Sequence, residues 1–131
     1  MRLLLDTHIA LWAVTNDARL PAKAHSLISL QTNEVAVSTV SLWEITVKHA
    51  RSQGRIQDML VSGSDALKYF RGAGFQNLPI LPAHVLEIAN LPPLHKDPFD
   101  RLLVAQASIE TYRLVTSDRQ LKAYGDVVVV V

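Results

Sequence analysis

Short apolar runs, each followed by a helical pattern, constrain this chain more than any other feature. Arg2 to Leu5, Glu34 to Val37, Phe75 to Ile80, Arg113 to Val115 and the five closing valines read as strands. Between them, apolar spacing and breaker residues predict helices over His8–Thr15, Ala22–Leu30, Leu42–Ser52 (stopped by Gly54), Asp65–Gly72, Ala83–Ala89, Pro98–Tyr112 and Arg119–Tyr124. The strands are apolar on both faces, as in a parallel sheet covered by helices. Pro79 and Pro82 bound the third strand and suit a place near a sheet edge, where a missing N–H costs least. At an edge, the valine run is an aggregation hazard. The expected fold is therefore α/β.

Right-handed crossovers bring the carboxyl ends of parallel strands to one side of the sheet, where ligands bind. Acids stand at those junctions. Asp6 follows the first strand, Glu44 lies early in the helix after the second, and Asp118 follows Leu114-Val115-Thr116. Asp100 opens the helix that leads to that last strand. In His95-Lys-Asp-Pro-Phe-Asp100-Arg-Leu-Leu-Val-Ala-Gln-Ala107, Asp97 can cap the helix and Pro98 fits its first position. Asp100, Leu103, Val104 and Ala107 then share one face, so a carboxylate heads a stripe that presses on the core.

Each acid also has a plain structural reading. Asp6 can cap the first helix, and Asp97-x-x-Asp100, Ser41-x-x-Glu44 and Ser117-x-x-Gln120 fit capping boxes. Glu44 can pair with Lys48 one turn on. Caps do not explain why acids close so many separate junctions. Carboxylates gathered in one place repel, and their pKa values rise unless a cation neutralises them. Oxygen donors suit Mg2+ or Mn2+ better than zinc, and such a cluster suits in-line phosphoryl chemistry.

The rest of the sequence limits the alternatives. The 131 residues form a single expected domain, residues 1–131. Without cysteine there is no disulfide, thiolate metal site or cysteine nucleophile. A net charge of +1 excludes a uniformly basic nucleic-acid coat but not a basic rim around an acidic site. No Gly-x-x-x-x-Gly-Lys loop or Gly-x-Ser-x-Gly elbow is present. No apolar window approaches a membrane span, and the first run is too short for a signal peptide. A soluble, cytoplasmic protein is expected.

At these residues the chain resembles the PIN-domain family, most closely its VapC-type toxins from toxin–antitoxin pairs. The matching pieces are Leu-Leu-Leu-Asp6-Thr-His, Ser41-Leu-Trp-Glu44-Ile, Leu78-Pro-Ile, the block from His95 to Ala107, and Val115-Thr-Ser-Asp118. They occur in family order and cover essentially the whole chain. The resemblance implies a single PIN-like domain, an α/β/α sandwich around a short parallel β-sheet. It also implies Mg2+- or Mn2+-dependent endoribonuclease activity and neutralisation by a cognate antitoxin. Asp6, Glu44 and Asp100 would be the core acids and Asp118 the fourth, with Asp6 and Asp100 holding the principal metal. Glu44 would complete the shell or help activate water. A catalytically silent PIN-like module that binds RNA or protein is the alternative, and a degenerate site would be its mark. A phosphatase using Asp6 as nucleophile fits less well, because no acid stands two residues on.

Around the acids, Thr116 can orient a carboxylate, and His8 and His95 read as histidines packed at helix ends. Lys48, Arg51, Lys96, Arg101 and Arg119 can meet RNA phosphates or form a solvated face. Trp12 and Trp43 read as core. Apolar residues in Ile56–Val61 and Ala66–Phe70 offer surface for a homodimer or an antitoxin groove.

Overall fold

In a computed structural model, which describes residues 1–52, 59 and 61–131, five parallel strands form one sheet. These are β1 (Arg2–Leu5), β2 (Glu34–Ser38), β3 (Gln76–Leu78), β4 (Arg113–Thr116) and β5 (Val128–Val130), in the order β3-β2-β1-β4-β5. Helices α1 (Thr7–Val14) and α2 (Ala22–Ser29) join β1 to β2, and α3 (Thr39–Ser52) and α4 (Gly63–Gly72) lead to β3. Helices α5 (Pro82–Glu87) and α6 (Pro98–Glu110) carry the chain across to β4, and a 3-10 helix, Arg119–Tyr124, precedes β5. Strands β1 and β4 are neighbours, so the winding reverses between them and opens a crevice at their carboxyl ends.

Strand alternation divides the core into two layers. Leu3, Leu5, Val37 and Val115 face one cluster with Ile9, Ile45 and Phe70. Leu4, Ala36, Leu114 and Val128 face the other with Leu103, Val104 and Ala107 of α6. Both faces are covered, which is why the strands read as continuous apolar runs. The expected α/β/α sandwich is present. β3 and the valine strand β5 occupy the two edges.

Three expectations need correction. Helix α3 begins at Thr39, three residues before the expected Leu42, because Ser38 Oγ accepts the Val40 N–H at 2.9 Å and starts the helix there. Ser41 is consequently inside the helix, and the Ser41–Glu44 capping box does not form. Within Ala66–Phe70, Ala66 and Phe70 are buried core residues rather than docking surface, and only Tyr69, 47% exposed, is a large apolar side chain left on the surface. Trp43 is 49% exposed rather than core, resting edge-on against Phe99 with centroids 4.7 Å apart. The Gly54 stop and most of Ile56–Val61 lie outside the described residues; within that span Met59 is buried.

Candidate active site

The crevice between β1 and β4 is a cleft of about 340 Å³ in which all four expected acids meet. Asp6, Glu44, Asp97, Asp100 and Asp118 line it, with Thr7, His8, Trp12, Arg19, Lys48 and Ser117. Asp6 comes directly off β1 and does two things at once. One oxygen, Oδ1, caps α1 by accepting the Ile9 N–H at 2.9 Å. The other, Oδ2, accepts the Thr116 hydroxyl at 2.5 Å from the end of β4. Thr116 Oγ1 in turn accepts the Asp118 N–H at 3.0 Å, so one fully buried hydroxyl registers two of the acids. The expected orienting role of Thr116 is thus realised on Asp6.

Glu44 is buried in the second turn of α3. Its Oε1 accepts the Thr7 hydroxyl at 2.6 Å, and its Oε2 pairs with Lys48 Nζ at 2.5 Å. Burial alone would lower the Lys48 pKa, but Glu44, then Asp97 and Asp100, hold it above the usual lysine range. Asp118 caps the 3-10 helix: its Oδ1 accepts the Gln120 N–H at 2.9 Å, and its Oδ2 lies 2.8 Å from His95 Nε2. Asp118, rather than Ser117, is therefore the cap at that junction.

Asp100 differs. Asp97 Oδ1 accepts the Phe99 and Asp100 N–H groups and caps α6. A full capping box would need the Asp100 carboxylate to take the Asp97 N–H in return. That N–H goes to His95 Nδ1 instead, at 3.1 Å. Among the described residues no donor hydrogen-bonds the Asp100 carboxylate; His95 Nε2 is 3.8 Å away. Burial, then the neighbouring charges of Asp97, Asp6 and Glu44, push its pKa up to about 7, with His95 opposing. Asp6 is also raised, by burial above all, against the Thr116 and Ile9 hydrogen bonds that favour its charge. The cleft thus holds one partly buried carboxylate that takes no hydrogen bond from the described residues, beside four other acids, an arrangement that suits a cation.

The basic residues divide. Lys48 is engaged by Glu44. Arg101 turns away, with Nη2 at 3.3 and 3.4 Å from the Ile88 and Leu91 carbonyls, so it braces the connector rather than meeting phosphates. Arg51, Lys96 and Arg119 are exposed. Trp12 is partly buried against the core yet lines the cleft, between the His8 ring at 5.7 Å and the Arg19 guanidinium at 5.2 Å. Sequence reasoning missed the part His95 plays. Its place two residues before Asp97 was the available signal, since a ring nitrogen there can accept the Asp97 N–H.

Comparison with known proteins identifies the family and the fold. The PIN domain family model matches residues 3–127. Ribonuclease VapC22 of Mycobacterium tuberculosis is 30% identical over 123 residues, covering 92% of this chain and 90% of that protein. Two solved structures share the fold. One is VapBC2 from Rickettsia felis bound to a DNA fragment from their promoter, with a TM-score of 0.70 at 19% identity, covering 98% of this chain and 96% of that one. The other is a toxin–antitoxin complex from Klebsiella pneumoniae, with a TM-score of 0.62 at 17% identity, covering 97% and 95%. No helix among the described residues is long and apolar enough to cross a membrane. By sequence match and by architecture, the chain belongs to the PIN domain family.

Proposed function

We propose that this chain is a metal-dependent endoribonuclease, the toxin of a toxin–antitoxin pair, acting in the cytoplasm. The observation that carries the reading is the Asp100 carboxylate, with no donor among the described residues and a pKa raised to about 7, in a cleft shared with Asp6, Glu44 and Asp118. An acidic cleft repels a phosphodiester unless a cation offsets it. The donors at hand are carboxylate oxygens, a set that fits Mg2+ or Mn2+. Asp6 and Asp100 would hold the ion. When bound, it would neutralise the carboxylates and stabilise charge developing on the phosphate. Glu44, steadied by Thr7 and Lys48, orients the attacking water, and Asp118 supports the opposite wall. Exposed Lys96 and Arg119 supply salt-dependent phosphate contacts.

The mycobacterial relative is a ribonuclease, which supports that activity, and the two structural neighbours, VapBC2 and a toxin–antitoxin complex, support a cognate antitoxin as partner. A homodimer belongs to the same reading. The scissile bond lies in an exposed RNA loop, where unstacked bases are accessible. A silent binding module is the weaker reading, because all four acids are present and converge.

The test is cleavage of total cellular RNA by wild type and Asp6→Asn with Mg2+, Mn2+ or chelator. Asparagine keeps an acceptor for the α1 cap while removing the charge. Discrete, ion-dependent cuts that the variant loses are expected. Equal cutting by both proteins would remove Asp6 from the mechanism, and no cutting by folded, antitoxin-free wild type would favour the binding module.

A further inference from the structure

Proximity alone makes His95 look like a metal ligand. Its ring nitrogen and one oxygen each from Asp100 and Asp118 lie within 4.8 Å of one another. The hydrogen bonds say otherwise. The Asp97 N–H points at His95 Nδ1 from 3.1 Å, so Nδ1 must present a lone pair. A neutral imidazole with its lone pair at Nδ1 carries its proton on Nε2, and a proton on Nδ1 would face that N–H. Nε2 stands 2.8 Å from Asp118 Oδ2 and therefore donates to it. A protonated nitrogen does not bind a cation.

We propose that His95 is a positioning residue, a donor fixed in one tautomer that holds Asp118, and not a ligand. The proposal rests on the metal-site reading above. One ring spans two chain segments: Nδ1 secures the turn that opens α6 and presents Asp100, and Nε2 secures the junction after β4 that presents Asp118. With the Gln120 N–H on its other oxygen, Asp118 is gripped from both sides. The ring is packed at 10% exposure, which keeps it from swinging to another partner. The ion site is left with oxygen donors only. This defines a specific division of labour within the cleft, in which the imidazole sets the distance between two acids without touching the ion.

The two hydrogen bonds can be separated by substitution. In His95→Gln the amide nitrogen falls near the place of Nε2, keeping the donor to Asp118 and giving up the Asp97 contact. In His95→Asn the amide oxygen falls near Nδ1, with the reverse result. Mn2+ binding by the full chain is measured by calorimetry, with circular dichroism confirming that both variants fold. The expected result is near-wild-type affinity for His95→Gln and a loss of about tenfold for His95→Asn, the scale for a partner that orients a group beside the ion. Pulsed electron paramagnetic resonance of the Mn2+ complex should show no directly bound imidazole nitrogen. Nitrogen-15 shifts of the metal-free protein should place the His95 proton on Nε2.

The reverse order of affinities, two variants that both bind like wild type, or a proton on Nδ1 would overturn the proposal. Equal losses in both variants with a bound-nitrogen signal would make His95 a ligand instead. Wild-type protein that takes up no Mn2+ would overturn the metal-site reading itself and the role given to His95 with it.

Discussion

Helix α6 takes part in two polar clusters about two turns apart, one buried and one opening into the cleft, and they are opposites. Around Gln106 every group is answered. Its Oε1 accepts the Ser38 hydroxyl at 2.5 Å, and its Nε2 donates to Pro79 O at 3.1 Å and lies 3.2 Å from His84 Nδ1. His84 Nδ1 also accepts the Leu81 N–H, and His84 Nε2 pairs with Glu110 at 2.9 Å. Ser38, His84 and Gln106 are fully buried. Around Asp100 each neighbouring acid has a donor, and the helix-opening carboxylate takes none from the described residues. A satisfied polar cluster holds elements together, here α5, α6 and the start of α3. An unsatisfied one costs stability and persists where function uses it. The same helix is thus a strut around Gln106 and carries the proposed site at its start.

The sharpest way to break this contrast is Asp100→Asn. Cleavage should fall by about a hundredfold or more, beyond the usual effect of a group that merely orients a ligand. Stability should move the other way. The folded protein holds a proton on Asp100 up to about pH 7, whereas the unfolded chain releases it near 3.8. The folded state therefore binds more protons in that window, and stability of the metal-free protein falls as pH rises through it. Asparagine removes the penalty, so Tm should rise at pH 8 and change little at pH 3. Unchanged Tm at both pH values would deny that Asp100 is strained.

Gln106→Leu tests the other cluster. It strands the Ser38 hydroxyl and takes the Gln106 donor from the Pro79 carbonyl, and should cost about 2 kcal/mol by chemical denaturation. Cleavage per folded molecule should change far less than in Asp100→Asn. A large loss of turnover without loss of stability would place Gln106 in the site. Thr116→Val lies between the two, since it removes the donor to Asp6 and the acceptor for the Asp118 N–H. A drop of about tenfold in cleavage is expected at a cost of about 1 kcal/mol. Smallest is Trp43→Ser, which removes a half-exposed ring outside both clusters and should shift stability by less than about 1 kcal/mol.

The fold was legible because doubly apolar strands and capped helices are local signals. Pro98 after Asp97 marked the start of α6, and Gly72 the end of α4. The four acids were legible because parallel topology sends every strand end to the same side of the sheet. Less legible was anything that depends on which of two partners a group selects. Ser38 rather than Ser41 starts α3, and Asp97 gives its N–H to His95 rather than to Asp100. Both choices follow from distances set only by tertiary packing. Trp43 misled for a related reason: helical spacing among apolar neighbours does not reveal that the facing side of α3 is left open. The Gln106 cluster escaped notice because a neutral amide in an apolar helix carries no sequence pattern of its own.

If a cation completes the cleft, it does so at Asp100. The most direct measurement is thermal unfolding of wild type and Asp100→Asn at pH 8, with and without Mg2+ or Mn2+. An ion that binds only the folded state at about a hundred times its Kd adds about 2.7 kcal/mol. A rise in wild-type Tm of corresponding size is expected, with little or none in the variant. An equal rise in both proteins, or none in wild type, would contradict it.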